Sequence, residues 1–203
     1  MSRASVYEIQ VPLRQRYKGD PASALITDRA HALGAIADDP FHSIVRPMPT
    51  SGFAVPVGVH SALGGLHDAP TPGDILCAAL ASCQDSSVRM VANILGIALE
   101  SLEVEVTGVV DVRGTLSMDP QVPVGFQTMR CAVRLQAAKG TNPQLLERLR
   151  TASQRSCVVL QTLLRSPRIE TTFDMAADEA RDRQVACGPG AEGAACVRSV
   201  RSC

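Results

Sequence analysis

The apolar residues of this chain change their period several times, and each change marks an element. Between residues 24 and 59 they come in short extended runs, 24–27, 43–45 and 53–59, separated by the turn formers Asp38-Asp39-Pro40 and the segment 47–52. These runs predict three short strands, and Pro56 and Gly58 confine the third to an edge or a bulge. At Thr71-Pro72-Gly73-Asp74 the chain offers a capping hydroxyl, a proline for the first helical position and an acid three residues after the cap. A helix is predicted from there to about Leu95, stopping at Gly96. Its apolar residues, from Ile75 and Leu80 through Cys83 to Val91 and Ile94, spread around much of the circumference, as in a helix buried at the middle of a fold.

Beyond Gly96 the period falls to two. Val104, Val106, Val110 and Val112 alternate within residues 102–116, and Met129, Cys131, Val133 and Leu135 alternate against polar neighbours within 127–137, which predicts a long hairpin with one buried face. Asn142-Pro143 opens a second helix, predicted to continue through Leu149, Cys157 and Leu164 until Ser166-Pro167 ends it. A last strand is expected over 169–175. Residues 1–22 read as an N-terminal arm or edge strand. The domain proper is expected over 23–175. Residues 176–203 carry almost no large apolar side chain and read as a disordered tail. The order of strands, helix, two strands, helix and strand predicts an α+β fold, a mostly antiparallel sheet with two central helices. There is no internal repeat.

Composition narrows the function. The chain has 203 residues, 45% of them hydrophobic, enough for one core. Its 20 Lys+Arg balance 20 Asp+Glu, which leaves no electrostatic footprint for nucleic acid. No stretch resembles a signal peptide or reaches the roughly 18 consecutive apolar residues of a membrane span, so a soluble, cytoplasmic protein is expected. The seven cysteines form no C-x-x-C and are odd in number, which argues against a disulfide framework in that compartment.

The local motifs mostly exclude. Gly188-Pro189-Gly190-Ala191-Glu192-Gly193 has the spacing of a dinucleotide loop but lies in the tail, without the strand and helix such a loop requires. His31, His42, His60 and His67 show no metal-ligand spacing, so no metal is expected. The nucleophile elbow of α/β-hydrolases and the P-loop are both missing. Cys83 and Cys157 remain, each midway along a predicted helix and flanked by small polar residues, so that packed central helices bring them close. A cysteine so placed is either a small buried hydrophobe or a reactive thiol. Cys77 and Cys131 fit the core, while Cys187, Cys196 and Cys203 fall in the tail.

Three further segments carry a resemblance. Gly64-Gly65, then Pro70-Thr71-Pro72-Gly73-Asp74-Ile75-Leu76, then Ala78-Ala79-Leu80-Ala81-Ser82-Cys83, resemble the Gly-Gly, Asn-Pro-Glu-x-Leu and Ala-Ala-x-x-Ala-Cys signature of the OsmC/Ohr superfamily, the osmotically inducible and organic hydroperoxide resistance proteins. Cys157 falls where that superfamily has its second cysteine, and the similarity covers residues 24–175. The resemblance implies an intertwined homodimer acting as a thiol-dependent peroxidase, with small organic hydroperoxides as substrates, an external dithiol as reductant, and no metal, flavin or haem as cofactor. Cys83 is then the peroxidatic cysteine and Cys157 the resolving one.

The superfamily also uses an arginine from an N-terminal strand, because a thiol near pKa 8.5 is only a few per cent thiolate at neutral pH. Arg46 is the nearest match, with Arg29 as its rival. Two departures mark a divergent branch. Gly73 occupies the position of the family glutamate, with Asp74 one place later, so Asp74 is a candidate substrate-binding carboxylate or simply a helix cap. Val158-Val159 also stands where proline usually follows the second cysteine. Arg89, four residues from Asp85, has the spacing of a modest ion pair, yet an arginine on so apolar a helix is also a candidate for the site or the dimer interface. The competing readings are a non-catalytic dimer that binds a small apolar ligand, and a redox sensor.

Overall fold

The computed structural model describes residues 5–34 and 38–175. The expected tail, its glycine motif and Cys187, Cys196 and Cys203 lie outside them. The residues from Arg168 on form a unit separate from Met1–Pro167. Within that unit, residues 168–175 contain no strand, contrary to expectation, and Ile169, Phe173 and Met175 are exposed. A strand needs a ladder partner for its backbone groups, and among the described residues this segment has none.

The N-terminal segment is a helix, not an edge strand. α1 (Val6–Gly19) opens on a capping box between Ser5 and Glu8, and the Val6 N–H donates to Asn93 Oδ1 at 2.7 Å, fastening the arm to a later helix. Next come β1 (Ala30–Leu33), β2 (Ser43–Pro47) and β3 (Val55–Val57), an antiparallel sheet in the order β1-β2-β3. The expected first strand over 24–27 is displaced to Ala30–Leu33. Pro21 opens a 3-10 turn that occupies Pro21–Ala24. The Gly64-Gly65 pair then has a physical role. Gly64 takes φ +88, and Gly65 lies so close to the Val59 carbonyl that a Cβ has no room.

α2 (Pro72–Ile94) begins and ends as its sequence predicts, capped by Thr71 and followed by Gly96 at φ +68. β4 (Leu99–Val110) and β5 (Phe126–Ala137) form the long antiparallel hairpin. The first arm is shorter than expected, because Asp111 caps a short helix, α3 (Val112–Thr115). The antiparallel structure is thus split into a three-stranded and a two-stranded sheet.

The expected second long helix is two helices, α4 (Pro143–Ser156) and α5 (Val158–Leu164), with Cys157 between them in extended backbone. The Ser156 hydroxyl bonds back to the Ala152 carbonyl at 2.9 Å, and two β-branched residues follow Cys157, both unfavourable to a continuous helix. The core lies where α2 packs on the hairpin and α4: Val88, Ala92, Ile97 and Leu149 are buried, and Leu102, Leu135 and Leu146 close around them.

Candidate functional site

The site is built on the seam between α2, α4 and α5. Cys83 lies midway along α2 and is half-buried, whereas Cys157, at the break between α4 and α5, is 0% exposed. α2 packs on both α4 and α5, and the Cys83 thiol is among the groups that act on Cys157. Both are free, as are Cys77 and Cys131. Burial pushes the Cys157 thiol up, against a weaker opposing effect of the Leu160 amide, and its thiol neighbours Cys83 and Cys131 push it further up. At neutral pH Cys157 is therefore a protonated thiol shut away from solvent, while Cys83 is within reach of a small solute. Two such thiols can form one disulfide, and solution reactants meet Cys83 first.

The break in the helix matters here. A continuous helix through Cys157 holds its sulfur by helical geometry alone. The extended backbone, φ −77 and ψ 103, sets that residue free of the helical repeat and places it at the N-terminus of α5.

Asp74 caps α2. Its Oδ2 accepts from the Thr71 N–H at 2.9 Å and from the Thr71 hydroxyl at 2.7 Å, and its own N–H donates to Thr71 Oγ1 at 3.2 Å. The backbone bond from Thr71 and then the hydroxyl bond hold the Asp74 carboxyl below its usual range, with His67 Nε2, 3.5 Å away, adding to the effect. Asp74 also lines a cavity of about 1190 Å³ with His60, His67, Cys77, Phe126 and the apolar residues of β4. His67 is held at φ +54 at the edge of this cavity, its ring 4.4 Å from that of His60. Cys83 and Cys157 do not line it.

The structure does not bring the predicted arginines to the thiols. Arg46 sits in β2, in register with His31 of β1, and its side chain forms no hydrogen bond or ion pair among the described residues. Its rival Arg29 precedes β1 and gives its backbone carbonyl to the Met48 N–H. Arg89 is held at 2.7 Å by Asp85 on the exposed side of α2, the ion pair its spacing predicts.

Two residues escaped the sequence reading. Gln84, next to Cys83, is 2% exposed, and its Oε1 has no hydrogen-bond partner among the described residues. Cys131, read only as core, lines a cavity of about 460 Å³ together with Gln84 and Ser153. The inward alternation of β5 put Cys131 on the buried face, but nothing in sequence tells which residue of a facing helix it meets.

The sequence model of OsmC-like proteins matches residues 65–172. The fold is similar to that of an OsmC-like protein from Mycoplasma pneumoniae, with a TM-score of 0.55 and 13% identity, over 70% of this chain and 89% of that one. It is also similar to an OsmC-like protein of unknown function from Vibrio cholerae, with a TM-score of 0.53 and 12% identity, over 68% and 94% of the two chains. No curated protein matches the sequence.

Proposed function

The chain belongs to the OsmC-like family of the OsmC/Ohr superfamily, and on that premise we propose that it is a thiol-dependent peroxidase for small organic hydroperoxides. The observation that carries this reading is the unequal burial of two free cysteines on packed elements, a reachable Cys83 on α2 and a sealed Cys157 between α4 and α5. The Cys83 thiolate attacks the terminal peroxide oxygen. An S–O bond forms, the O–O bond breaks, and the leaving alkoxide takes a proton to become an alcohol. The resulting sulfenic acid is attacked by Cys157 sulfur, hydroxide leaves and is protonated to water, and a Cys83–Cys157 disulfide remains. An external dithiol reduces it, and no metal or organic cofactor takes part. No helix among the described residues is long and apolar enough to cross a membrane. A cytoplasmic setting suits a cycle that must be closed by thiols.

The working form in this reading is a homodimer with its sites at the subunit interface. Phe53 and Met48, beside the three-stranded sheet, and Val109 at the end of β4 are large exposed apolar residues that association can cover. Arg46 is the cation assigned to stabilise the thiolate and orient the peroxide. Light scattering should find a dimer at micromolar concentration; a stable monomer contradicts this part of the reading.

The large cavity favours a second reading, a non-catalytic dimer holding a small apolar ligand, because its lining is mainly apolar and excludes both cysteines of the pair. Steady turnover separates the two. The peroxidase reading expects continuous consumption of cumene hydroperoxide with dithiothreitol, abolished in Cys83→Ser and at least tenfold slower in Arg46→Ala. No consumption above the protein-free rate, in the unaltered protein as in Cys83→Ser, supports the binding protein instead.

A further inference from the structure

His42 stands immediately before β2, and both nitrogens of its ring meet carboxylates. Nδ1 lies 2.8 Å from Asp39 Oδ2, three residues back along the chain, and Nε2 lies 3.2 Å from Asp68 Oδ1, in the segment that leads into α2. An ionised carboxylate can only accept, so each ring nitrogen has to donate, and a neutral imidazole carries one N–H where this arrangement needs two. The geometry is that of an imidazolium held between two carboxylates. Hydrogen bonding to Asp39 and then to Asp68 raises the ring above its ordinary value of 6.5, and no other charged group among the described residues acts on it.

What the bridge joins gives it a role. Asp68 belongs to the loop between β3 and α2, whose base is closed by the Gly58 N–H donating to the Pro70 carbonyl at 3.0 Å. Within it the His67 N–H donates to the Val59 carbonyl at 3.1 Å. His60, Leu63 and His67 of this loop line the cavity of about 1190 Å³. Phe41 ties the loop to the segment before β2 by an apolar contact that does not titrate, its Cζ lying 4.0 Å from where a Cβ on Gly64 would stand. His42 ties it by a contact that does.

We propose that His42 is a protonation-operated latch, which holds this wall of the cavity to the segment before β2 while the ring is charged and releases it when the ring becomes neutral. Asp39 keeps its bond on release, because that distance is the shorter and the Phe41 N–H, 2.8 Å from Asp39 Oδ1, fixes the carboxylate. The Asp68 side opens, since a ring nitrogen without its proton sets a lone pair against a carboxylate oxygen. The latch is therefore closed in neutral and mildly acidic solution and opens as pH climbs through the raised histidine value. It is independent of the thiol chemistry, because neither Cys83 nor Cys157 lines that cavity.

The test uses the full chain. The His42 C2 proton is titrated by NMR, assigned by its loss in His42→Gln, and hydrogen exchange is followed in peptides covering 59–68 and corrected for the intrinsic rise of exchange with pH. The His42 midpoint should lie above 6.5 and should fall in Asp68→Asn. Across that midpoint the corrected exchange of 59–68 should rise about threefold, the scale that an exposed ion pair supports, while that of α2 stays level. His42→Gln should lack the step. A midpoint at or below 6.5, or one that Asp68→Asn leaves unmoved, overturns the proposal. So does exchange of 59–68 that stays flat across the midpoint. A step that persists in His42→Gln belongs to His60 or His67 of the loop itself and overturns it equally.

Discussion

The three-stranded sheet and the seam of α2, hairpin and α4 are built from similar residues but finish differently. In the seam, Val88, Ala92, Ile97 and Leu149 are buried, and leucines of β4, β5 and α4 close around them. In the sheet, every residue of β1 is exposed, β2 is half-buried, and only Val57 of β3 is buried. The first region completes itself within one chain, and it holds the cysteines. The second holds Arg46 and presents apolar residues that none of the described residues covers. In the proposed reading the difference separates two parts of the site: the thiols lie on the chain's own core, whereas the proposed cation sits on an open sheet that the proposed dimer would cover.

The largest expected effect tests the seam directly. Leu149→Ala, at a residue 1% exposed, should cost about 2–5 kcal/mol in urea unfolding. The half-buried Ile44 of β2 has less area to lose, so Ile44→Ala should cost under about 1.5 kcal/mol. Equal losses at the two sites break the comparison.

Next is the start of α2. Thr71→Ala removes one side of a reciprocal cap and should cost about 1 kcal/mol. Asp74→Asn, which keeps an oxygen acceptor, should cost less. If its loss from Asp74→Asn exceeds that from Thr71→Ala, the carboxylate does more than cap the helix.

A smaller effect comes with alkaline pH. Burial raises the thiols of Cys77, Cys131 and Cys157 above their ordinary value of 9.0. The folded chain therefore keeps protons that the unfolded chain releases. Stability from this source is whole below the unfolded pKa and is lost as pH rises through the folded one. The melting temperature should fall as pH rises beyond about 9, and less steeply in Cys157→Ser. A Cys157→Ser curve parallel to that of the unaltered protein shows that the seam does not shield this thiol.

Legibility in the sequence followed locality. α2 was readable to the residue because its signals are local: Thr71, Pro72 and Asp74 at one end, Gly96 at the other. The hairpin was readable because a period of two survives over eleven or more residues. The break at Cys157 was not, since Leu149 and Leu164 keep the helical period on both sides and only Ser156 and Val158-Val159 oppose it. The N-terminal helix was missed because its apolar residues are few and none is buried; its capping box of Ser5 and Glu8 was the available signal. Of the site, Cys83 and Cys157 were found by motif and spacing. Gln84, sealed beside Cys83 with an unpartnered Oε1, was not, because no local pattern encodes which side chains the packing of hairpin on helices buries.

The central claim is that Cys83 and Cys157 act as an unequal redox pair, and peptide mapping after hydroperoxide treatment tests it most directly. The unaltered protein should yield a Cys83–Cys157 disulfide within the chain, and Cys157→Ser should instead accumulate a Cys83 sulfenic acid that a dimedone probe captures. Both thiols remaining free under excess hydroperoxide, or dimedone labelling Cys157 in place of Cys83, contradicts the account.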